Sequence, residues 1–341
     1  MSEIKTDVLR RQLKSGDLAR CYLLYGQERY LLDYYTRELR KAVLGAEDDP
    51  FNLRRLDGKG LDLQELEDAV DAYPSFAEKT LVEVADYDLF AASEGDQKRL
   101  KAILQDLPDC CCLVFRYDAL EFKQDKRKKQ LCELVRDYVT SVEFPLQKQD
   151  ELTRWVQKHF RARGKEISAD NAAYLIFLCG SLMENLTNEI GKIAVYAKAQ
   201  EISRADIDAV TVPVVEAETF KLADALSAKD YEKAADLMYK LFQLNTEPIA
   251  INALVGGQLR KLYAALLVKK AGGNAGTLRE LLGASSDYMP KQYIRICTSF
   301  SEAWYREMIR RSAETDYRMK SSAADGEDLL RDLFAAMAVR S

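Results

Sequence analysis

The turn Tyr25-Gly26-Gln27-Glu28-Arg29-Tyr30-Leu31-Leu32 lies where a phosphate-binding loop belongs, since an apolar segment (Cys21–Tyr25) enters it and a helical pattern (YLLDYYTRELRKAVLG) leaves it. A phosphate loop of the form G-x-x-x-x-G-K-[ST] works because backbone N–H groups cradle the phosphates, the lysine neutralises them and the hydroxyl holds magnesium. Here only Gly26 is retained. The second glycine, the lysine and the hydroxyl are absent, and Glu28 places a negative charge where phosphate would lie. The degenerate loop Gly26, Gln27, Glu28, Arg29 is therefore expected to bind no ATP. Further on, Ala85-Asp86-Tyr87-Asp88 lacks the consecutive acidic pair that would direct magnesium and water.

Other chemistry is scarce. The only histidine, His159, sits between basic residues in WVQKHFRARGK, with no nucleophile constellation nearby in sequence, so histidine catalysis is not expected. Seven cysteines, three of them consecutive (Cys110, Cys111, Cys112) in an apolar run, suit buried reduced thiols and show no zinc spacing. No catalytic residue, metal site or cofactor is expected.

The elements that must carry these residues change character along the chain. Cys21–Tyr25, Phe51–Leu56, Lys79–Val84 and Cys110–Phe115 read as strands. Helical stretches separate them, among them LDLQELEDAVDAYP, which should end near Pro74, and GDQKRLKAILQDLP. Alternation of this kind predicts a mostly parallel α/β sheet. Beyond about residue 145 the strands stop. Gln149–Val210 reads as three helices, with starts near Ser168 and Ser203, and everything from Thr219 on has helical period.

The 341 residues suit two or three domains at ~100–200 residues each. A charged fraction of 31% against 48% hydrophobic excludes disordered and low-complexity classes. No apolar run reaches the ~18 residues of a membrane span and the N-terminus lacks a signal-peptide core, so a cytosolic protein without a membrane partner is expected. The net charge of −5 is uneven: residues 258–320 hold 12 Lys/Arg against 6 Asp/Glu, leaving +6 there and −11 elsewhere. Such a stretch suits phosphates, an acidic partner or a solvated helical face. The basic run Phe122–Lys129 is read as a solvated helix start rather than a DNA contact.

Over essentially its whole length the chain resembles the delta subunits of the bacterial DNA polymerase III clamp loader, ATPase-inactive relatives of the AAA+ enzymes. The resemblance is carried by LLYGQERYLLDYYTREL, DPFNLRRLDG (Asp49–Gly58), SFAEKTLVEV (Ser75–Val84), LCGSLMENLTNEIGKIAVYA, FKLADALSAKDYEKAADLMYKL, GGQLRKLYAALL and AETDYRMKSS. It implies an AAA+-like (RecA-like) α/β domain over 1–140, a three-helix lid over 141–211 and an all-α collar over 212–341. At the lid position where AAA+ enzymes carry a phosphate-sensing arginine, this chain has Gly180-Ser181-Leu182-Met183, so Met183 stands in its place. Leu182, Leu186, Ile190 and Ile193 are expected to pack the lid helices.

The resemblance also implies the work: binding and opening the sliding clamp (beta) for loading onto primed DNA during replication, without ATP hydrolysis. It adds assembly with the tau/gamma and delta prime subunits through the collar, where Leu259, Leu262, Tyr263 and Leu266 offer apolar surface, and a cytoplasmic, nucleoid-associated location. The clamp-binding positions are Tyr73, Pro74, Ser75 and Phe76. Pro74 should end the helix and leave Phe76 on a turn, an aromatic free to anchor an interface. The family usually has two bulky apolar residues there; Ser75 occupies one place, and Tyr73 is the candidate replacement. An AAA+ enzyme with an atypical phosphate loop and a free-standing helical adaptor are the alternatives. The family's tie to DNA-directed DNA polymerase is through the holoenzyme, not through a catalytic site in this chain.

Overall fold

The computed structural model describes residues 4–243, 246–284 and 287–339; the chain ends assigned above to the first and last domains (1–3, 340–341), with 244–245 and 285–286, lie outside the described residues. Contacts divide the chain into two compact units: Met1–Leu146 with Leu182–Glu184, and Gln147–Ser181 with Asn185–Ser341.

The first unit runs α1 (Thr6–Ser15), β1 (Cys21–Tyr25), α2 (Arg29–Leu44), β2 (Leu53–Asp57), α3 (Leu63–Val70), β3 (Thr80–Ala85), α4 (Glu94–Gln105), β4 (Cys111–Arg116), α5 (Lys129–Tyr138) and β5 (Thr140–Glu143). The strands form one sheet in the order β2-β3-β4-β1-β5, and all four pairings are parallel. Because successive side chains alternate between the faces of a sheet, each inner strand feeds two cores. Leu23, Val84, Leu113 and Phe115 pack with residues of α3, α4 and α5. Tyr22, Leu24, Leu81 and Val114 pack on the other face with Leu9 of α1 and Leu32, Tyr35 and Leu39 of α2. The inner strands are therefore largely apolar, and the buried Glu83 of β3 is paired with Arg40 of α2 (2.6 Å).

The fifth strand has no such signal. Thr140-Ser141-Val142-Glu143 is short and mostly polar, yet Thr140 and Ser141 are buried in its pairing with β1. It lies across residue 140, where the sequence reading ended the first domain.

The elements described in the second unit are helices, with one isolated bridge between Glu166 and Glu201: α6 (Gln149–Arg161), α7 (Ala169–Cys179), α8 (Met183–Tyr196, whose first residues group with the first unit), α9 (Arg204–Val210), α10 (Val215–Ser227), α11 (Tyr231–Gln243) and α12 (Pro248–Lys270). It continues with α13 (Ala275–Leu282), α14 (Tyr288–Ile296), a short 3-10 turn (Cys297–Ser299), α15 (Glu302–Ser321) and α16 (Gly326–Val339). Four helices thus occupy the stretch in which three were expected, because Gly180 (φ 80) separates α7 from α8.

The central helix is α12. Ile251, Val255, Leu259, Leu262 and Leu266 lie in the core, while Ala253, Arg260, Leu267 and Lys270 are exposed along the same helix. Where α12 meets α15, Asn252 Nδ2 donates to the Ser312 carbonyl (3.0 Å) and Ser312 Oγ to Asn252 Oδ1 (3.1 Å). A Cβ at Gly256 would come within 2.7 Å of Ser312 Oγ, so glycine sets this close approach. Residues of the expected lid and collar share this unit. The Val214 N–H donates to the Leu178 carbonyl (2.7 Å), and Phe177 meets Phe220 edge-on, ring centroids 5.6 Å apart.

Candidate functional site

The turn after β1 is three residues long, Gly26-Gln27-Glu28, since β1 ends at Tyr25 and α2 begins at Arg29. Gly26 has φ 136, and a Cβ there would lie 2.3 Å from the Phe144 carbonyl oxygen, so the turn closes directly on the chain that follows β5. Glu28 N–H donates to that same carbonyl (2.9 Å), and Phe144 N–H to the Tyr25 carbonyl (2.7 Å). These are polar groups that a phosphate cradle would have to leave free.

Glu28 itself is only 1% exposed. Its carboxylate caps α2 by accepting from Tyr30 N–H (3.3 Å) and also accepts from Met183 N–H. An anion at a helix N-terminus is favourable because unpaired N–H groups and the helix dipole point at it. The protein's own carboxylate therefore holds the place that a phosphate takes in a nucleotide loop. Burial raises the Glu28 pKa above its ordinary value, the N–H groups of Met183 and Tyr30 act against that rise, and nearby Glu184 adds to it.

The other nucleotide-site positions are also engaged. Arg29 reaches the Tyr117 carbonyl (2.7 Å) and Asp118 (3.4 Å). Asp86, in the left-handed region at φ 54, accepts from the N–H groups of Asp118 (2.8 Å), Ala119 (2.9 Å) and Leu120 (3.0 Å). Although burial acts to raise it, those bonds bring its pKa below the usual value. Asp88 accepts from the Phe90 and Ala91 N–H groups. Both carboxylates of the Asp86-Tyr87-Asp88 stretch thus tie down loops. Among the described residues no group of three or more His, Cys, Asp or Glu could hold a metal ion.

The turn at Tyr73–Phe76 has the opposite character. Phe76 is fully exposed (107%) and Tyr73 nearly so (88%), with Ser75 exposed and Pro74 half-buried. Phe76 has φ 57, a left-handed conformation uncommon for a bulky residue. The helix before it is shorter than the sequence suggested: α3 stops at Val70, capped at Asp71, and Pro74 does not terminate it directly. The residue before a proline is biased out of the helical region, and Tyr73 lies outside any helix or strand.

Asn52, which sequence reasoning missed, holds this turn. It is 2% exposed and precedes β2, with its carbonyl accepting from Leu81 N–H of β3 (2.8 Å). Its side chain accepts from Ser75 N–H (2.7 Å) and donates to the Ser75 carbonyl (3.0 Å). The same Nδ2 donates to Asp49 Oδ2 (2.9 Å). Asp49 also accepts from the Phe51 and Asn52 N–H groups, and these bonds, Asn52's side chain foremost, lower its pKa. Asn52 lies inside the DPFNLRRLDG stretch, and a buried asparagine needing several partners at a strand start was the signal available. Phe51 is 69% exposed.

The remaining candidates resolve as structural. The His159 ring lies against Trp155 (centroids 3.9 Å), and burial, then Arg163 and Lys158, lower its pKa. The seven cysteines are free; burial pushes Cys111 to about 11 and Cys112 and Cys179 to about 12, leaving inert thiols. In the basic run, Phe122 packs on Tyr25 and Tyr117, Arg127 pairs with Asp125, and α5 begins only at Lys129. Within the +6 stretch Lys270 pairs with Glu302 and Arg311 with Glu307, and acids from outside it offset part of the excess, Asp224 on Arg295 and Glu216 on Lys261. Leu186, Ile190 and Ile193 are buried as expected, and Met183 is buried too, but Leu182, expected to pack with them, is 45% exposed. Leu259, Leu262 and Leu266 are core residues of α12, so the apolar surface expected from them is already covered within the chain.

A parallel sheet in this strand order, helices on both faces, a closed phosphate turn and an all-helical second unit define an AAA+-like protein. Family models match two regions, the DNA polymerase III delta subunit over residues 22–144 and its C-terminal domain over 216–337. The chain is 25% identical to DNA polymerase III subunit delta of Bacillus subtilis over 330 residues, covering 95% of this chain and 94% of that one. It is 24% identical to a probable DNA polymerase III subunit delta of Aquifex aeolicus over 326 residues, 93% and 91% of the two chains. The solved structure of the Bacillus subtilis DNA clamp loader delta protein is similar in fold (TM-score 0.55, 24% identity, 98% and 99% coverage). The chain belongs to the DNA polymerase III delta subunit family.

Proposed function

We propose that this delta-family protein acts as a non-catalytic clamp-loader subunit. It binds the sliding clamp through Phe76 with Tyr73 beside it, opens the ring for loading onto primed DNA, and neither binds nor hydrolyses ATP. The observation that carries the reading is the contrast in exposure: a phenylalanine wholly in solvent on a turn tied to the sheet, and a nucleotide turn filled by Glu28. A large aromatic held out from a rigid support is the kind of anchor that dominates an interface.

The further parts of the reading follow from the family. The first domain, expected over 1–140 and carried past that bound by β5, presents the clamp-binding turn, the rest of the expected 141–211 forms the lid, and 212–341 serve as the collar that joins the tau/gamma and delta prime subunits. The protein works in the cytoplasm at the nucleoid. Among the described residues no helix is long and apolar enough to cross a membrane.

The test is binding of the intact chain to immobilised sliding clamp, beside titration with labelled ATP. Clamp binding with no ATP binding at micromolar concentration is expected. Micromolar ATP binding would overturn the non-catalytic assignment, and absence of clamp binding would overturn the clamp assignment.

A further inference from the structure

We infer that Asn52, supported by Asp49, is the positioning residue that keeps the Ser75–Phe76 turn in the shape that enters the clamp; the inference rests on the clamp-binding reading above. The carboxamide of Asn52 pairs with both main-chain polar groups of Ser75, accepting from its N–H at 2.7 Å and donating to its carbonyl at 3.0 Å. This is the pattern by which one strand pairs with a neighbour in a ladder, made here by a side chain. Since the Asn52 backbone is itself bonded to β3, the side chain extends the rigidity of the sheet to a segment without secondary structure of its own.

Two features make that support necessary. Phe76 sits at φ 57 and has no packing to hold it there, being fully exposed, and a strained backbone conformation persists only where its surroundings determine it. The Asn52 amide is in turn fixed by Asp49 Oδ2 at 2.9 Å, which orients Nδ2 and Oδ1 for their two partners. Without the bracket the turn would sample other conformers, and apparent affinity falls by the fraction of time the competent one is populated.

The experiment uses the intact chain and its Asn52→Ala, Phe76→Ala and doubly substituted forms, measuring clamp affinity, melting temperature and amide hydrogen exchange. Asn52→Ala is expected to weaken clamp binding about tenfold, the consequence of a competent shape held about one-tenth of the time. In the Phe76→Ala background the same change should cost nothing further, because the bracket acts through Phe76. A general loss of stability would not produce that non-additivity. In the unsubstituted protein the Ser75 amide should exchange much more slowly than those of Ala77 and Glu78, a measurement that stands even if Asn52→Ala fails to fold.

A Ser75 amide exchanging as fast as its neighbours, or additive effects of the two substitutions, would overturn the bracket. If Phe76→Ala loses affinity while Asn52→Ala keeps it, the bracket alone fails. If Phe76→Ala binds the clamp as the unsubstituted chain does, the clamp-binding reading fails and takes the bracket with it.

Discussion

The nucleotide turn and the Phe76 turn lie in the same α/β unit and are built in opposite ways. At Gly26–Glu28 the chain turns inward: Phe144 meets the backbone, and a buried carboxylate satisfies the N–H groups of Tyr30 and Met183. At Tyr73–Phe76 the apolar side chains point into solvent, the backbone is in an unfavourable region, and the polar group that fixes it comes from elsewhere in the sheet. On the proposed reading, a turn whose N–H groups are taken up within the chain is a poor cradle for phosphate. One that leaves aromatic surface uncovered on a rigid support retains binding energy for a partner.

Substitutions at the two turns should therefore move different observables. The largest effect is expected from Phe76→Ala, which on the clamp-binding reading removes a hot-spot anchor worth ~2–4 kcal/mol, about a thirtyfold to thousandfold loss of affinity. Its melting temperature should hardly change, because the ring touches no core. A large drop in melting temperature with unchanged affinity would break the comparison.

Gly26→Ala should do the reverse, destabilising the fold by about 2–3 kcal/mol through the positive φ and the clash with the Phe144 carbonyl. Urea denaturation measures it; an unchanged midpoint would mean that the turn is not closed against Phe144. Tyr73→Ala is expected to weaken clamp binding by about tenfold or less, as a flanking contact rather than the anchor. A loss equal to that of Phe76→Ala would make the two residues joint anchors.

The smallest effect concerns Glu28. Its folded pKa is raised above the ordinary 4.5 by burial, so the folded state prefers the protonated form and the side chain's contribution to stability falls as pH rises through that window. At pH 7 the ionised carboxylate is a cost. Glu28→Gln keeps an acceptor oxygen for the cap and should melt higher than the unsubstituted protein at pH 7, with the gap closing below pH 4.5. Thermal melts across pH 4–8 check the sign; a lower melting temperature for Glu28→Gln at pH 7 would show that the charge is a net benefit to the helix ends.

What the sequence carried was whatever local chemistry dictates. The inner strands β1, β3 and β4 were legible because strands buried on both faces are largely apolar, Glu83 of β3 excepted, and the loss of lysine, second glycine and hydroxyl from the phosphate turn needs no coordinates to see. Phe76 was picked out by the resemblance to the delta subunits, which placed it on a turn after Pro74. The tertiary structure decided what depends on residues distant in the chain. β5 is a strand because β1 offers it an edge, not because Thr-Ser-Val-Glu favours one. The apolar residues of α12 look like surface for a partner in one dimension and prove to be the centre of the helical unit once α10, α14 and α15 surround them. Asn52 and Ser75 are 23 positions apart, and their pairing exists only because β2 and β3 lie side by side in the sheet, which periodicity along a single segment cannot express.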